Sequence, residues 1–160
     1  MLPQIKTIIY ASDLGEKTRP VIRMAASIAN VQHARLICLH ILEPISDYVH
    51  NIIGVNVERS TIDNSFKEDA VAAEKLIQKR IDLFLEEEFK DTKLNFTTEI
   101  KVITGQVEDV ILQTAQKEQA DLIVMGSRTH SAMGQFILGS NANKVIHSSK
   151  FPVMVVPIKD

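Results

Sequence analysis

Short apolar segments alternate with segments of helical periodicity along the chain of 160 residues. The apolar segments lie at residues 5–12, 35–42, 96–103, 122–125 and 153–156. Repeated alternation of strand and helix patterns is typical of a parallel sheet with helical crossovers. The sequence therefore predicts an α/β fold with an open five-stranded parallel sheet and helices on both faces. With 45% hydrophobic residues, the chain can bury one core but is too short for two, so we expect a single domain over residues 1–160.

Helical spacing of apolar residues predicts one helix around residues 21–28 and a longer one around residues 73–85. Thr18 precedes the first helix as a possible cap, and Ser65 with Glu68 has the spacing of a capping box at the start of the second. The apolar segment 43–64 has no clear period, and we expect it to form a short helix or an ordered flap. A lid that binds a partner is the functional alternative for this segment.

The apolar run 122–125 is followed directly by Gly126. Such a run suits a central strand covered on both faces, and glycine adopts backbone angles that other residues resist. Farther on, Gly139 and Ser140 precede a short helical pattern, for which Ser140 is a suitable N-cap. The unpaired amides of a helix start attract anions, so this stretch predicts a phosphate site. The alternative is that both glycines are turn residues and that Ser140 is only a cap.

The spacing of these residues resembles the nucleotide-binding signature of the universal stress protein family, which is Gly, two residues, Gly, nine residues, Gly, then Ser or Thr. Gly126, Gly139 and Ser140 match the signature, whereas Thr129 replaces its second glycine. The sequences ADLIVMGSR and FPVMVV, before and after this loop, are also similar to the family's. At the other end of the chain, the first strand leads to Asp13 and the second ends in LHILEP, as in the family.

This resemblance implies the strand order 3-2-1-4-5, whose reversal lies between the first and fourth strands, where open α/β sheets bind ligands. Asp13 would there accept hydrogen bonds from a ribose or an adenine amino group, between apolar walls formed by Ile41 and Met125. The alternative for Asp13 is a cap or turn residue. The residues predicted to bind the nucleotide are Ala11, Ser12, Asp13, Ile41, Met125, Gly126, Arg128, Thr129, Gly139, Ser140, Asn141 and Ala142.

Two of these residues have competing interpretations. The guanidinium of Arg128 is suited to pair with phosphate oxygens, but Arg128 is equally well explained as a solvated surface residue. Thr129 would be disfavoured by about 1–3 kcal/mol if its position needs a positive φ. A free backbone amide and a hydroxyl at Thr129 would instead suit a phosphate.

The resemblance implies a regulatory protein of the stress response that binds ATP with Mg²⁺. It also implies a nucleotide-gated homodimer that pairs through the last strand, between Val153 and Val156, since an exposed apolar edge strand is usually covered. A further protein partner is possible. The alternatives are a nucleotide-free dimeric interaction module, with Thr129 marking a lost site, and a slow ATPase.

Composition and motifs argue against several other classes. A net charge of -2 and a pI near 6.2 argue against a nucleic-acid-binding protein, because such proteins usually carry a basic surface. No apolar stretch approaches the roughly 18 residues of a membrane helix, so we expect a cytoplasmic protein. Cys38 lies in an apolar run and is predicted to be a core residue.

Motifs of catalysis and metal binding are also missing from the sequence. The chain has no P-loop, dinucleotide fingerprint or catalytic triad pattern, and its five histidines lack ligand spacing for a metal. We therefore assign no catalytic or metal-binding residue and expect at most weak ATP hydrolysis.

Overall fold

The structure is a computed structural model that describes residues 1–12, 16–43, 59–91, 93–128 and 138–158. Within these residues, a short 3-10 turn at Glu16–Thr18 leads into the first helix. The strands are β1 (Thr7–Ser12), β2 (Arg35–Leu42), β3 (Thr97–Thr104), β4 (Leu122–Arg128) and β5 (Val153–Ile158). The helices are α1 (Arg19–Gln32), α2 (Arg59–Phe89), α3 (Val107–Glu118) and α4 (Ser140–Ser148).

All five strands are parallel and lie in the order β3-β2-β1-β4-β5. The predicted fold class and strand order are therefore confirmed. The order reverses between β1 and β4, which pair in register from Ile8 with Leu122 to Ala11 with Met125. Their carboxyl ends form a crevice there, because the connections from these two strands leave on opposite sides of the sheet.

Helices cover both faces of the sheet because successive strand residues point to opposite sides. In β1, Ile8 and Tyr10 pack into one buried cluster with α1 and α2, whereas Ile9 packs into a second cluster with α3 and α4. Ile9 is flanked by Ile37 and Ile123 on the neighbouring strands, and all three side chains are fully buried. Each such side chain contributes about 1.5–3 kcal/mol on burial, so the central strands are strongly stabilised.

The end of β4 and the start of α2 differ from the sequence prediction. β4 does not end at Met125 but continues to Arg128, because Gly126 and the two residues after it still pair with β5. α2 begins at Arg59, so Ser65 and Glu68 lie inside the helix and the predicted capping box is wrong. Residues 44–58, which include most of the predicted flap, lie outside the described residues.

The start of α1 and the single cysteine follow the prediction more closely. Thr18 is the N-cap of α1, although its side chain makes no capping hydrogen bond. Cys38 is fully buried in the core, as predicted, and this burial raises the pKa of its thiol to about 12. Its thiolate is therefore strongly disfavoured at neutral pH, which makes the side chain a poor nucleophile.

One edge of the sheet carries a closed ring of alternating charges. Glu99 of β3 accepts hydrogen bonds from Arg35 at 3.1 Å and from Lys101 at 2.8 Å. Glu118, at the end of α3, accepts from the same two residues at 2.8 and 3.2 Å. We call these four side chains the β3 ion ring. The hydrogen bond that Lys101 donates to Glu99 is the main cause of a raised pKa at Lys101, and the one that Lys101 donates to Glu118 is the main cause of a lowered pKa at Glu118.

Candidate functional site

A cleft of about 610 Å³ opens at the carboxyl ends of β1, β2 and β4. It lies at the reversal of strand order and is closed on one side by the start of α4 and on another by α3. Cavities of this size are typical of small-molecule sites. The topology therefore places this cleft where open α/β sheets bind their ligands.

Nine of the twelve predicted site residues line this cleft. They are Ala11, Ser12, Ile41, Met125, Gly126, Gly139, Ser140, Asn141 and Ala142. Asp13 and Thr129 lie outside the described residues, and Arg128 is the last residue of β4, without a described side chain. The structure thus brings together residues from both halves of the chain, while the roles of Asp13, Arg128 and Thr129 stay predictions.

One wall of the cleft is apolar. Ile41 follows the fully buried Leu39 on the same face of β2, and Met125 ends the apolar part of β4. Val107 and Ile111 add the first turns of α3 to this wall. Ala11 lies between β2 and β4 on the central strand, where its small side chain leaves space above the sheet edge. A flat apolar group would fit this wall.

The opposite part of the cleft is formed by the start of α4. The N-cap of this helix is Gly139 and not Ser140, which is the first helical residue. Gly139 has no side chain with which to cap the helix, so the amides of the first turn receive no hydrogen bond from it. The predicted helix start is confirmed, but the predicted cap is displaced by one residue. The absence of a capping side chain leaves these amides available to an anion.

Gly126 is a glycine for a reason that the sequence did not reveal. It is extended in β4 and pairs with Val156, so it needs no unusual backbone angle. A Cβ built on it would lie 2.6 Å from Cδ1 of Ile158 and 3.1 Å from Cγ2 of Val21. A side chain at this position would force Ile158 Cδ1 to move, so the packing of α1 and β5 against this strand favours glycine.

His40 lines the cleft but was not among the predicted site residues. Its Nδ1 lies 3.0 Å from the backbone carbonyl oxygen of Ser12. Because a carbonyl oxygen only accepts hydrogen bonds, Nδ1 carries the proton and donates it, which leaves Nε2 as the acceptor of the neutral ring. His40 thereby ties the end of β2 to the end of β1. The only local sign of this position is that His40 immediately precedes the predicted site residue Ile41 at a strand end.

The other lining residues were not among the predicted site residues. They are Tyr10, Thr18, Val21, Leu42, Glu43, Val107, Ile111 and Ile158. Their membership follows from the crossing of α1 and α3 over the strand ends. Spacing along the chain carries no signal for such contacts.

A buried hydroxyl lies just beyond the lining residues. Ser127 Oγ is fully buried and finds no hydrogen-bond partner among the described residues. Leaving such a group unsatisfied costs about 1–3 kcal/mol. Alternation along β4 places it on the same face as Met125, towards α4. The hydroxyl is therefore available to a polar group that enters this end of the cleft.

A model of the Universal stress protein family matches residues 4–157 of the chain. The chain belongs to the universal stress protein family. A universal stress protein of Thermus aquaticus, from the QAH/OAS sulfhydrylase 3′ region, is 30% identical over 151 residues, which cover 94% of this chain and 98% of that protein. The resemblance expected from the loop spacing therefore extends over nearly the whole sequence.

Solved structures of the family share this fold. The UspA protein of Lactobacillus plantarum superposes with a TM-score of 0.70 at 17% identity, covering 97% of this chain and 99% of its own. A universal stress protein in complex with cAMP gives a TM-score of 0.64 at 18% identity over 98% of this chain and 100% of its own. One from Archaeoglobus fulgidus, in complex with dAMP, gives 0.51 at 19% identity over 94% and 96%.

The described residues contain neither a helix suited to span a membrane nor a cluster of metal ligands. Among the helices of this part of the chain, none combines the length and the apolar composition needed to cross a bilayer. The same residues contain no group of three or more His, Cys, Asp or Glu side chains arranged to hold a metal ion.

Proposed function

We propose that this universal stress protein binds an adenine nucleotide, ATP with Mg²⁺, in the cleft, and that the nucleotide-bound state regulates a partner in the stress response. One observation carries the proposal. A single cleft at the reversal of strand order joins an apolar wall to a helix start without a capping side chain. A nucleotide has the same two parts, a flat base and an anionic tail.

The apolar wall suits the base. Ile41 and Met125 stand on the strands to either side of Ala11, and a planar ring between them would cover apolar surface on both faces. Bound ligands bury most of their surface in clefts of this kind and are oriented by a few polar groups. In this cleft the backbone at the ends of β1 and β2 supplies such groups beside the base.

The start of α4 suits the phosphates. The amides of Ser140, Asn141 and Ala142 belong to the first turn, and Gly139 offers no side chain to occupy them. The helix dipole adds a favourable interaction with negative charge at this end. The buried hydroxyl of Ser127 is a further donor to a phosphate oxygen. The Mg²⁺ ion would be held mainly by phosphates and water, as is usual for magnesium in nucleotide sites.

The complexes of related proteins with cAMP and dAMP support an adenine nucleotide as the ligand class. The choice of ATP rests on the family's nucleotide-binding signature, whose matching residues Gly126, Gly139 and Ser140 all line the cleft. A monophosphate would leave part of the amides at the start of α4 without a partner.

A charge placed at the helix cap tests the proposal. Gly139 has φ -59° and ψ 151°, which residues with a side chain also adopt. Gly139→Asp should cap α4 and keep stability equal or higher by a few tenths of a kcal/mol. The same carboxylate would occupy the amides and repel phosphate, so ATP affinity should fall at least about tenfold.

Gly139→Asn is the matched control, because its side chain has the same shape and also caps the helix but carries no charge. Its affinity for ATP should lie between those of the unmodified protein and Gly139→Asp in calorimetric titrations with MgATP. Equal affinities in all three proteins would exclude a phosphate site at α4. Equal binding of AMP and ATP would retain an adenine nucleotide and reject ATP as the preferred ligand.

Titration of the unmodified protein separates the remaining alternatives. No heat and no thermal stabilisation at millimolar MgATP would favour the nucleotide-free interaction module. Hydrolysis that scales with protein concentration and disappears in Gly139→Asp would favour the slow ATPase.

We also propose that two copies pair through β5. This strand lies at the sheet edge opposite β3, and Val153, Met154 and Val155 are only partly buried. The edge strand β3 carries the charged side chains of Glu99 and Lys101, which discourage pairing with another strand, whereas β5 offers an apolar edge that a second strand would cover. Sedimentation that shows a monomer at all concentrations would reject this dimer. The cytoplasmic location stays a prediction from the sequence.

A further inference from the structure

A second cavity, of about 270 Å³, lies on the opposite side of β1 from the apolar wall of the nucleotide cleft. It is enclosed by the first turns of α1, the C-terminal half of α2 and the end of β1. We call it the α1/α2 cavity. Its volume suits a molecule with a single ring or a short branched chain, smaller than a nucleotide.

The floor of the α1/α2 cavity is apolar and well packed. It is formed by Tyr10, Ile22, Ile81 and Phe84, whose side chains are each less than 10% exposed. These residues belong to the core cluster between the sheet and helices α1 and α2. Two aromatic side chains in the floor provide ring edges against which another ring can pack.

Among the described residues, the charged side chains at the rim of the cavity are two arginines and one glutamate. Arg80 and Glu87 lie on the same face of α2 as Leu83, and Arg19 reaches across from α1. Arg19 Nη2 lies 3.1 Å from Glu87 Oε2, with the two side chains 55% and 58% exposed. Exposed pairs of this kind contribute only about 0.2–1 kcal/mol, so an anion can replace Glu87 beside Arg19 at little cost.

We propose that the α1/α2 cavity binds a small carboxylate with an aromatic or branched apolar body. The apolar body would rest on Tyr10 and Phe84, and the carboxylate would pair with Arg19 and Arg80 at the rim. Arginine matches this group because its guanidinium presents paired donors to two carboxylate oxygens. A carboxylate can take the place of Glu87 beside Arg19, so the rim favours an anion over a neutral ligand of the same shape.

The α1/α2 cavity shares a wall with the nucleotide cleft. Tyr10, Ser12 and Thr18 line both, and the carbonyl of Ser12 accepts the hydrogen bond from His40 inside the cleft. A ligand that shifts the end of β1 therefore changes the affinity of the cleft for its own ligand, and the effect is reciprocal. This coupling rests on the proposed nucleotide function, whereas binding to the α1/α2 cavity does not.

Benzoate is the probe for the test, and benzamide is its neutral counterpart of nearly the same shape. Titration of the isotope-labelled full chain, followed by amide chemical shifts, should show saturable changes around Tyr10, Ile22 and Phe84 with benzoate. Benzamide should bind several-fold more weakly. Changes centred on Met125 and Ala142, or equal responses to both probes, would overturn the proposal, as would no response at all.

Variants of exposed rim residues give effects of opposite sign without disturbing the core. Arg80→Gln should weaken benzoate binding by up to about fivefold, the factor expected from one exposed ion pair. Glu87→Gln should strengthen it, because the competing carboxylate is removed. Leu83→Trp should block the mouth, since Leu83 is 48% exposed at the rim. Arg23→Gln, on the exposed surface of α1 and outside the cavity, is the control and should leave binding unchanged.

The coupling is measured separately, by repeating the ATP titration with saturating benzoate. If ATP does not bind at all, the chemical shift changes with benzoate still test whether the α1/α2 cavity binds a carboxylate. Effects of Arg80→Gln and Glu87→Gln with the same sign would contradict the assigned rim charges and reject the carboxylate site.

Discussion

The close packing around Gly126 predicts a specific response to an added methyl group. In Gly126→Ala the Cβ would lie 2.6 Å from Cδ1 of Ile158, too close for any real contact, and 3.1 and 3.2 Å from Val21 Cγ2 and Ile158 Cγ1. The last two contacts need shifts of only a few tenths of an ångström, so most of the strain comes from Cδ1. We expect a loss of about 1–3 kcal/mol in the free energy of unfolding, as for other overpacked cores.

A second substitution identifies the cause of this loss. Ile158→Val removes Cδ1 and alone should cost about 0.5–1.5 kcal/mol. In the double variant the worst contact no longer exists, so the combined loss should be smaller than the sum of the two single losses by about 1 kcal/mol.

Urea denaturation of the four proteins measures this coupling. One fixed protein concentration is used, because association makes the apparent stability depend on concentration. Additive losses would refute the packing argument, because strain in the backbone of Gly126 would not be relieved by a change at Ile158. A Gly126→Ala variant as stable as the unmodified protein would refute both explanations.

Two further predictions concern charges at the other end of the sheet and at its edge. Asp121 Oδ2 accepts hydrogen bonds from the backbone amides of Lys6 at 2.7 Å and Thr7 at 3.0 Å. Asp121→Ala should therefore lower the free energy of unfolding by about 1–3 kcal/mol in urea denaturation, and an unchanged value would show that water replaces the carboxylate. In the β3 ion ring, the lowered pKa of Glu118 contributes stability that is complete above its ordinary value of 4.5 and is lost as the pH falls through the folded-state pKa. The raised pKa of Lys101 contributes stability that is complete below its ordinary value of 10.5 and is lost as the pH rises through the folded-state pKa. Lys101→Met should thus cost about 1 kcal/mol near neutral pH and less at either extreme, and a cost independent of pH would contradict this assignment.

Several features of the candidate site were predictable because they depend on short-range patterns. The run before Gly126 predicted a buried strand, and the glycine and serine at positions 139 and 140 predicted a helix start, since burial and chain reversal impose strong local preferences. The N-cap is Gly139 instead of the predicted Ser140, because a sequence pattern locates a helix end only to within one or two residues. The capping box at Ser65 failed for a related reason, since α2 begins six residues before Ser65, at Arg59.

Other site residues were not predictable, because they meet only through the crossing of elements distant in sequence. Val21 and Ile158 approach Gly126 from α1 and β5, so the preference for glycine has no local signature. His40 faces the cleft because β2 ends beside β1, in register with Ser12. The α1/α2 cavity exists because α2 crosses the start of α1, and no pattern within either helix reveals it.

The sequence by itself determined the fold class and the loop that marks the family, because strand and helix periodicity and glycine spacing are properties of neighbouring residues. Tertiary structure alone decided which side chains share the nucleotide cleft and the α1/α2 cavity. It also decided why glycine is favoured at Gly126, since close packing is set by atoms that are far apart in the chain and touch only after the sheet has formed.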